Sequence, residues 1–108
     1  MSYKVEISSN YRREVKILVK KYPSLKAELS ILFTELENNP TLGIPFGNNV
    51  YKIRLAIASK NKGKSGGARV MSYVKIVDAA VLLFSIFDKG EKASLSNKEI
   101  EELLKPYL

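Results

Sequence analysis

Tyr51-Lys52-Ile53-Arg54-Leu55-Ala56-Ile57-Ala58 is the stretch whose reading decides the fold. Tyr51, Ile53, Leu55 and Ile57 fall on one side of an extended chain; Lys52, Arg54, Ala56 and Ala58 fall on the other. Successive side chains of a strand point to opposite faces of a sheet, so this period of two predicts a strand with an apolar face and a basic face. Residues 60–67, basic and glycine-rich, predict a turn. Residues 69–77 predict the next strand, Asp78-Ala79 a tight reversal, and residues 80–87, nearly all apolar, a central strand buried on both faces. Three strands linked by short turns make an antiparallel meander.

Upstream, Tyr3, Val5 and Ile7 alternate with Lys4 and Glu6 and predict a short strand. Ser8, Ser9 and Asn10 can cap a helix start. Tyr11, Val15, Leu18, Val19 and Tyr22 then recur at helical spacing, and Pro23 stops the run because it has no N–H and disfavours helical geometry before it. Ser24 is expected to cap a second helix with the stripe Leu25, Leu29, Leu32, Phe33 and Leu36. Two helices joined by so short a turn form an antiparallel hairpin, closed by Asn38-Asn39-Pro40. Residues 41–49, rich in Gly and Pro, read as a loop. Downstream, Ser96 or Asn97 caps a helix whose apolar side is Ile100, Leu103 and Leu104, with Pro106 as its stop. The order β-α-α-β-β-β-α predicts an α+β fold: an N-terminal strand, a helical hairpin, an antiparallel three-stranded meander and a C-terminal helix, with residues 1–108 as one domain.

The chain carries 18 Lys and Arg against 11 Asp and Glu, a net charge of +7. The placement is more telling than the sum. The 40 residues between Glu37 and Asp78 hold no acid and seven cations: Lys52, Arg54, Lys60, Lys62, Lys64, Arg69 and Lys75. A solvated face usually mixes both signs, whereas a surface without acids suits a polyanion such as RNA. Cysteine is absent, which excludes disulfides and thiolate metal sites. Histidine is absent too, which removes the commonest general base near neutral pH. No apolar run approaches the ~20 residues of a membrane span, and residues 1–7 lack the apolar core of a signal peptide, so a cytoplasmic protein is expected. Gly63-Lys64-Ser65 resembles the end of a phosphate-binding P-loop. That pattern needs glycine where Ala58 stands and a helix afterwards, and here a strand follows.

Tyr51-Lys52-Ile53-Arg54, the run Lys60-Asn61-Lys62-Gly63-Lys64-Ser65-Gly66-Gly67-Ala68-Arg69, and Ile86-Phe87-Asp88-Lys89-Gly90-Glu91-Lys92 resemble the pattern of the RelE/ParE toxin superfamily. The stretch from Gly63 to Arg69 is most similar to its HigB-like RelE branch, and the order of elements matches over nearly the whole chain. The resemblance implies the toxin of a type II toxin-antitoxin pair, partnered by a small cognate antitoxin. It implies a metal-independent, ribosome-dependent endoribonuclease, an mRNA interferase that inhibits translation by cutting mRNA in the decoding site, with no cofactor and no membrane. ParE-type members instead poison DNA gyrase. A third reading, from outside catalysis, is a passive RNA- or ribosome-binding domain. Carried over, the cleavage residues are Lys52, Arg54 and Arg69, with a further basic position at Lys89 or Lys92. Some members follow the equivalent of Lys89 with an arginine and place a tyrosine in the tail; this chain has Gly90, and Leu95 and Ser96.

These residue types suit the chemistry. Cleavage by a neighbouring 2′-hydroxyl needs a proton acceptor, positive charge for the phosphorane and a donor for the leaving oxygen. Crowding cations lowers a lysine pKa, and Lys52 lies two residues from Arg54 on one strand face, which makes it the candidate base. Arg54 and Arg69 can fork onto phosphate, and Lys89 or Lys92 can serve as acid or electrostatic helper. Lys60, Lys62, Lys64 and Lys75 read as phosphate-positioning contacts. Tyr51 shares the apolar face of its strand, whereas Tyr73 shares the face of Arg69 and can stack on a base. The structural alternatives are that Lys52 and Arg54 merely protect an edge strand and that Arg69 sits in an ion pair. If the basic surface meets RNA, log affinity falls with log salt by about 0.7 per single-strand phosphate engaged. Filter binding over a salt series measures it, and a flat response would remove the nucleic-acid reading.

Overall fold

A computed structural model describes residues 2–60 and 66–108. Five strands, β1 (Lys4–Ile7), β2 (Ile44–Gly47), β3 (Val50–Leu55), β4 (Ala68–Lys75) and β5 (Ala80–Asp88), form one sheet in the order β1-β5-β4-β3-β2. The expected meander is present: β3 pairs antiparallel with β4, and β4 with β5. β5 is buried along its whole length, as its apolar run requires. β1 lies parallel to β5, with Val5 opposite Val81.

The stretch 41–49 is not all loop, contrary to the reading from its Gly and Pro content. Ile44–Gly47 is the edge strand β2, paired antiparallel with β3. Asn48 (φ 53°) and Asn49 (φ 64°) form a two-residue turn with both residues left-handed. That geometry matches the right-handed twist of a hairpin, and asparagine tolerates it. Pro45 fits because β2 is an edge strand, where a missing N–H goes unnoticed. β3 is also shorter than predicted. It ends at Leu55, and a 3-10 turn spans Ala58–Lys60.

The helical hairpin is α1 (Ser9–Lys21) and α2 (Leu25–Asn38); the last helix is α3 (Asn97–Leu104). Ser8 caps α1, its hydroxyl accepting from the Tyr11 N–H at 3.1 Å. Ser24 does not cap α2. Its backbone is already helical, and its hydroxyl bonds Glu28 at 3.1 Å and lies 2.8 Å from the Ser59 hydroxyl. Ser96 and Glu99 make a reciprocal capping box at the start of α3. The hairpin packs Leu18, Leu25 and Leu32 against Ile53, Val70 and Val81 on one face of the sheet. On the other face, Ile100 and Leu104 of α3 meet Met71, Leu82 and Phe84. The face that carries Lys52 and Arg54 is therefore only partly open: α3 covers its middle, while Arg54 stays exposed. No helix of the described residues is long and apolar enough to cross a membrane.

β5 extends past β1, which pairs only as far as Leu83. Beyond that point α1 satisfies the strand edge with side chains. Asn10 Nδ2 donates to the Phe84 carbonyl at 3.0 Å. Glu14 Oε1 accepts from the Ile86 N–H at 3.2 Å and the Ser85 hydroxyl at 2.9 Å. Phe84 is the extra residue where the β4–β5 register shifts, and such a bulge bends the strand locally. Glu14→Ala leaves those donors without an acceptor. It should destabilise the fold by about 1–3 kcal/mol, seen as a lower urea midpoint at unchanged slope.

Candidate nucleic-acid interface

Strand register assembles the site. Across β3 and β4, Lys52 stands opposite Met71 and Arg54 opposite Arg69; across β4 and β5, Arg69 stands opposite Phe87. Like charges directly opposite on neighbouring strands are unfavourable. Arg69 is also 3% exposed. Its Nη1 donates to the Ala68 carbonyl at 3.1 Å, and burial together with the Arg54 charge lowers its pKa. Lys52 is half-buried, and its ammonium is pushed below the ordinary lysine range by burial first, then by the charges of Arg69, Arg54 and Lys89. Those four residues thus form one electrostatic cluster, and it contains the candidate base. Close approach of the backbone brings Lys89 to it. The Lys89 N–H donates to the Gly67 carbonyl at 2.9 Å. A Cβ on Gly67 would fall 2.1 Å from the Leu55 carbonyl oxygen, so only glycine lets β3 and β4 close there.

Beside the cluster, Asp88 anchors the end of β5. Its carboxylate is 3% exposed and accepts from the Tyr22 hydroxyl at 2.6 Å and the Gly90 N–H at 2.9 Å, and it forms an ion pair with the Lys60 ammonium. Burial opposes the charge, but the bonds from Lys60, Tyr22 and Gly90 outweigh it and hold the Asp88 pKa at about 2. The Lys60 ammonium also lies 5.8 Å from the Tyr22 ring centre. A Cβ on Gly90 would come within 3.3 Å of both Asp88 Oδ1 and Lys60 Nζ, so glycine leaves room for the pair.

The remaining candidates separate accordingly. Lys60 is not a loose positioning charge: its side chain is 15% exposed and its charge is committed to Asp88. Lys75 is likewise drawn away, to Glu6 of β1 at 3.4 Å. Lys92 pairs with Glu99 at 2.6 Å, at the start of α3, rather than joining the Lys52 cluster. Acids from distant parts of the chain thus neutralise two cations of the acid-free segment, which a count along the sequence cannot register. Lys62 and Lys64 lie outside the described residues. Tyr51 is half-buried; Tyr73 is half-buried against the α3 side of the core, on the cluster's face. The sequence reading gave two residues no role. Asp88 carried no local signal, because its partners are far away along the chain. Phe46 did carry one, the Ile44/Phe46 alternation beside Asn48-Asn49, but it was masked by the glycine and proline around it. Its ring centre lies 5.2 Å from the Lys52 ammonium.

A family model described as the RelE toxin of the RelE/RelB toxin-antitoxin system matches residues 19–106. Among solved structures, the chain is similar to a mutant of the E. coli toxin RelE in the free state, with 18% identity, a TM-score of 0.63 and full coverage of both chains. It is similar also to that mutant in complex with an antitoxin RelBc peptide, with 18% identity, a TM-score of 0.62 and again full coverage of both chains. At that identity the likeness shows the fold.

The opposed arginines yield a divergent outcome for one substitution. Arg54→Gln removes a like-charge repulsion and should raise stability by about 0.5 kcal/mol in thermal unfolding. The same variant should bind single-stranded RNA more weakly, with a salt slope smaller by about 0.7.

Proposed function

The chain belongs to the RelE toxin family, and from that premise we propose that it is the toxin of a toxin-antitoxin pair that cleaves mRNA on the ribosome without a metal ion and so stops translation. One observation carries this reading: strand register sets Arg54 opposite Arg69 and gathers Arg54, Arg69 and Lys89 around Lys52, whose ammonium is disfavoured first by burial and then by those three charges. A phosphodiester seated there meets charge from two strands and from the start of the loop after β5.

In the proposed reaction the neutral Lys52 amine takes the proton of the 2′-hydroxyl as its oxygen bonds to phosphorus. The exposed Arg54 stabilises the charge on the phosphorane oxygens with its fork of donors, and the buried Arg69 behind it adds its positive field. The bond to the 5′-oxygen breaks, and Lys89, the cation nearest in role, supplies the leaving oxygen with a proton. The products are a 2′,3′-cyclic phosphate and a free 5′-hydroxyl. The partner antitoxin is an acidic segment that covers or neutralises the basic face, and the place of action is the cytoplasm, where ribosomes translate.

The test adds purified protein to a translating extract and maps mRNA 5′ ends. Cuts should fall within translated regions, and Lys52→Ala should lower the cutting rate by a factor on the order of 10²–10⁴ while ribosome binding persists. Full cleavage by Lys52→Ala would remove it as the base. Intact mRNA together with altered DNA supercoiling would point to gyrase instead.

A further inference from the structure

A groove of about 370 Å³ separates the β2–β3 hairpin from α3, lined in part by Phe46, Asn48, Val50, Tyr73, Asn97 and Glu101. We propose that this groove is a nucleobase subsite: it takes one unstacked base of the single-stranded RNA whose phosphate lies on the neighbouring Lys52 cluster. The inference rests on the RNA reading above and adds to it the place where a base is held.

Three features converge. Two aromatic side chains line the groove, and Phe46 is 37% exposed on an edge strand whose residues are all exposed. Its ring is thus open to a ligand, and base–aromatic stacking is a main source of single-strand binding. The Phe46 ring also touches the cation cluster, through the Lys52 ammonium 5.2 Å from its centre. A phosphate on Lys52 and a base on Phe46 are therefore neighbours, at the spacing of groups within one nucleotide or two adjacent ones. Finally, the polar lining suits a base edge and not a second phosphate. Asn48 and Asn97 each offer a donor and an acceptor, while the Glu101 carboxylate accepts from an exocyclic amino group and repels phosphate. The left-handed pair Asn48 and Asn49 holds the Phe46 side of the groove in a tight turn, and the Ser96–Glu99 capping box holds the Asn97 side.

The test uses short single-stranded RNAs that carry 2-aminopurine at each position in turn, whose fluorescence is quenched when the base stacks. Titration at low salt with the full chain should show quenching at one position. Phe46→Leu keeps apolar bulk but no π face; it should lose that quenching and bind on the order of ten-fold more weakly. Phe46→Tyr should retain both. Thermal unfolding of each variant checks the fold, which an exposed edge residue should leave unchanged. If the wild-type chain binds the RNA but quenches no base, or if Phe46→Leu and Tyr73→Leu both behave as wild type, the subsite does not exist and the RNA reading stands alone. If the wild-type chain binds no RNA, the functional reading falls, and this inference with it. Quenching that survives in Phe46→Leu but is lost in Tyr73→Leu would stack the base on the other aromatic of the groove and overturn the role given to Phe46.

Discussion

The register of β3 on β4 is the constraint on which the other features depend. It sets Ile53 opposite Val70 beneath the helical hairpin, and in the same step it sets Arg54 opposite Arg69 on the other face. A slip of one residue would turn every side chain of β3 over, burying Lys52 and Arg54 under the hairpin and exposing Ile53. The core therefore enforces the charge cluster: the apolar face cannot be buried without gathering the cations. Gly67 reinforces the same register by letting the two strands close where any side chain would strike the Leu55 carbonyl.

That coupling explains how a repulsive arrangement persists. Like charges directly opposite are unfavourable, and the core on both faces of the sheet fixes the register that keeps Arg54 and Arg69 together. Lys60, Lys75 and Lys92 each find a carboxylate, on Asp88, Glu6 and Glu99, and so contribute little net field to the basic face. Among the described residues the result is a local concentration of charge in place of a uniformly basic surface.

Much of the fold could be read from side-chain spacing. The period of two at residues 51–57, the helical stripes of the hairpin and the apolar run of β5 all correspond to elements in the structure, because each pattern reports a face that must be buried. β2 was hidden for a physical reason: an exposed edge strand of four residues has only the Ile44/Phe46 alternation to mark it, and Pro45 and Gly47 imitate a loop. The candidate site was legible in part. Lys52, Arg54 and Arg69 were marked by their strand positions and by a family pattern. The diversion of Lys60, Lys75 and Lys92 could not be seen, since each acid lies on another element and two of the three are distant along the chain.

The sequence by itself determined which residues face a core and which carry the charge, because alternation and helical spacing are local properties of the backbone. It also determined that the excess charge is positive and falls within residues 38–77. Only the tertiary structure decided which of those charges remain together. Register across β3, β4 and β5 joins Lys52, Arg54 and Arg69 with Lys89, and long-range ion pairs withdraw Lys60 and Lys75. Electrostatic neighbours are set by distance in space, and distance along the chain says little about it once a sheet has brought remote strands side by side.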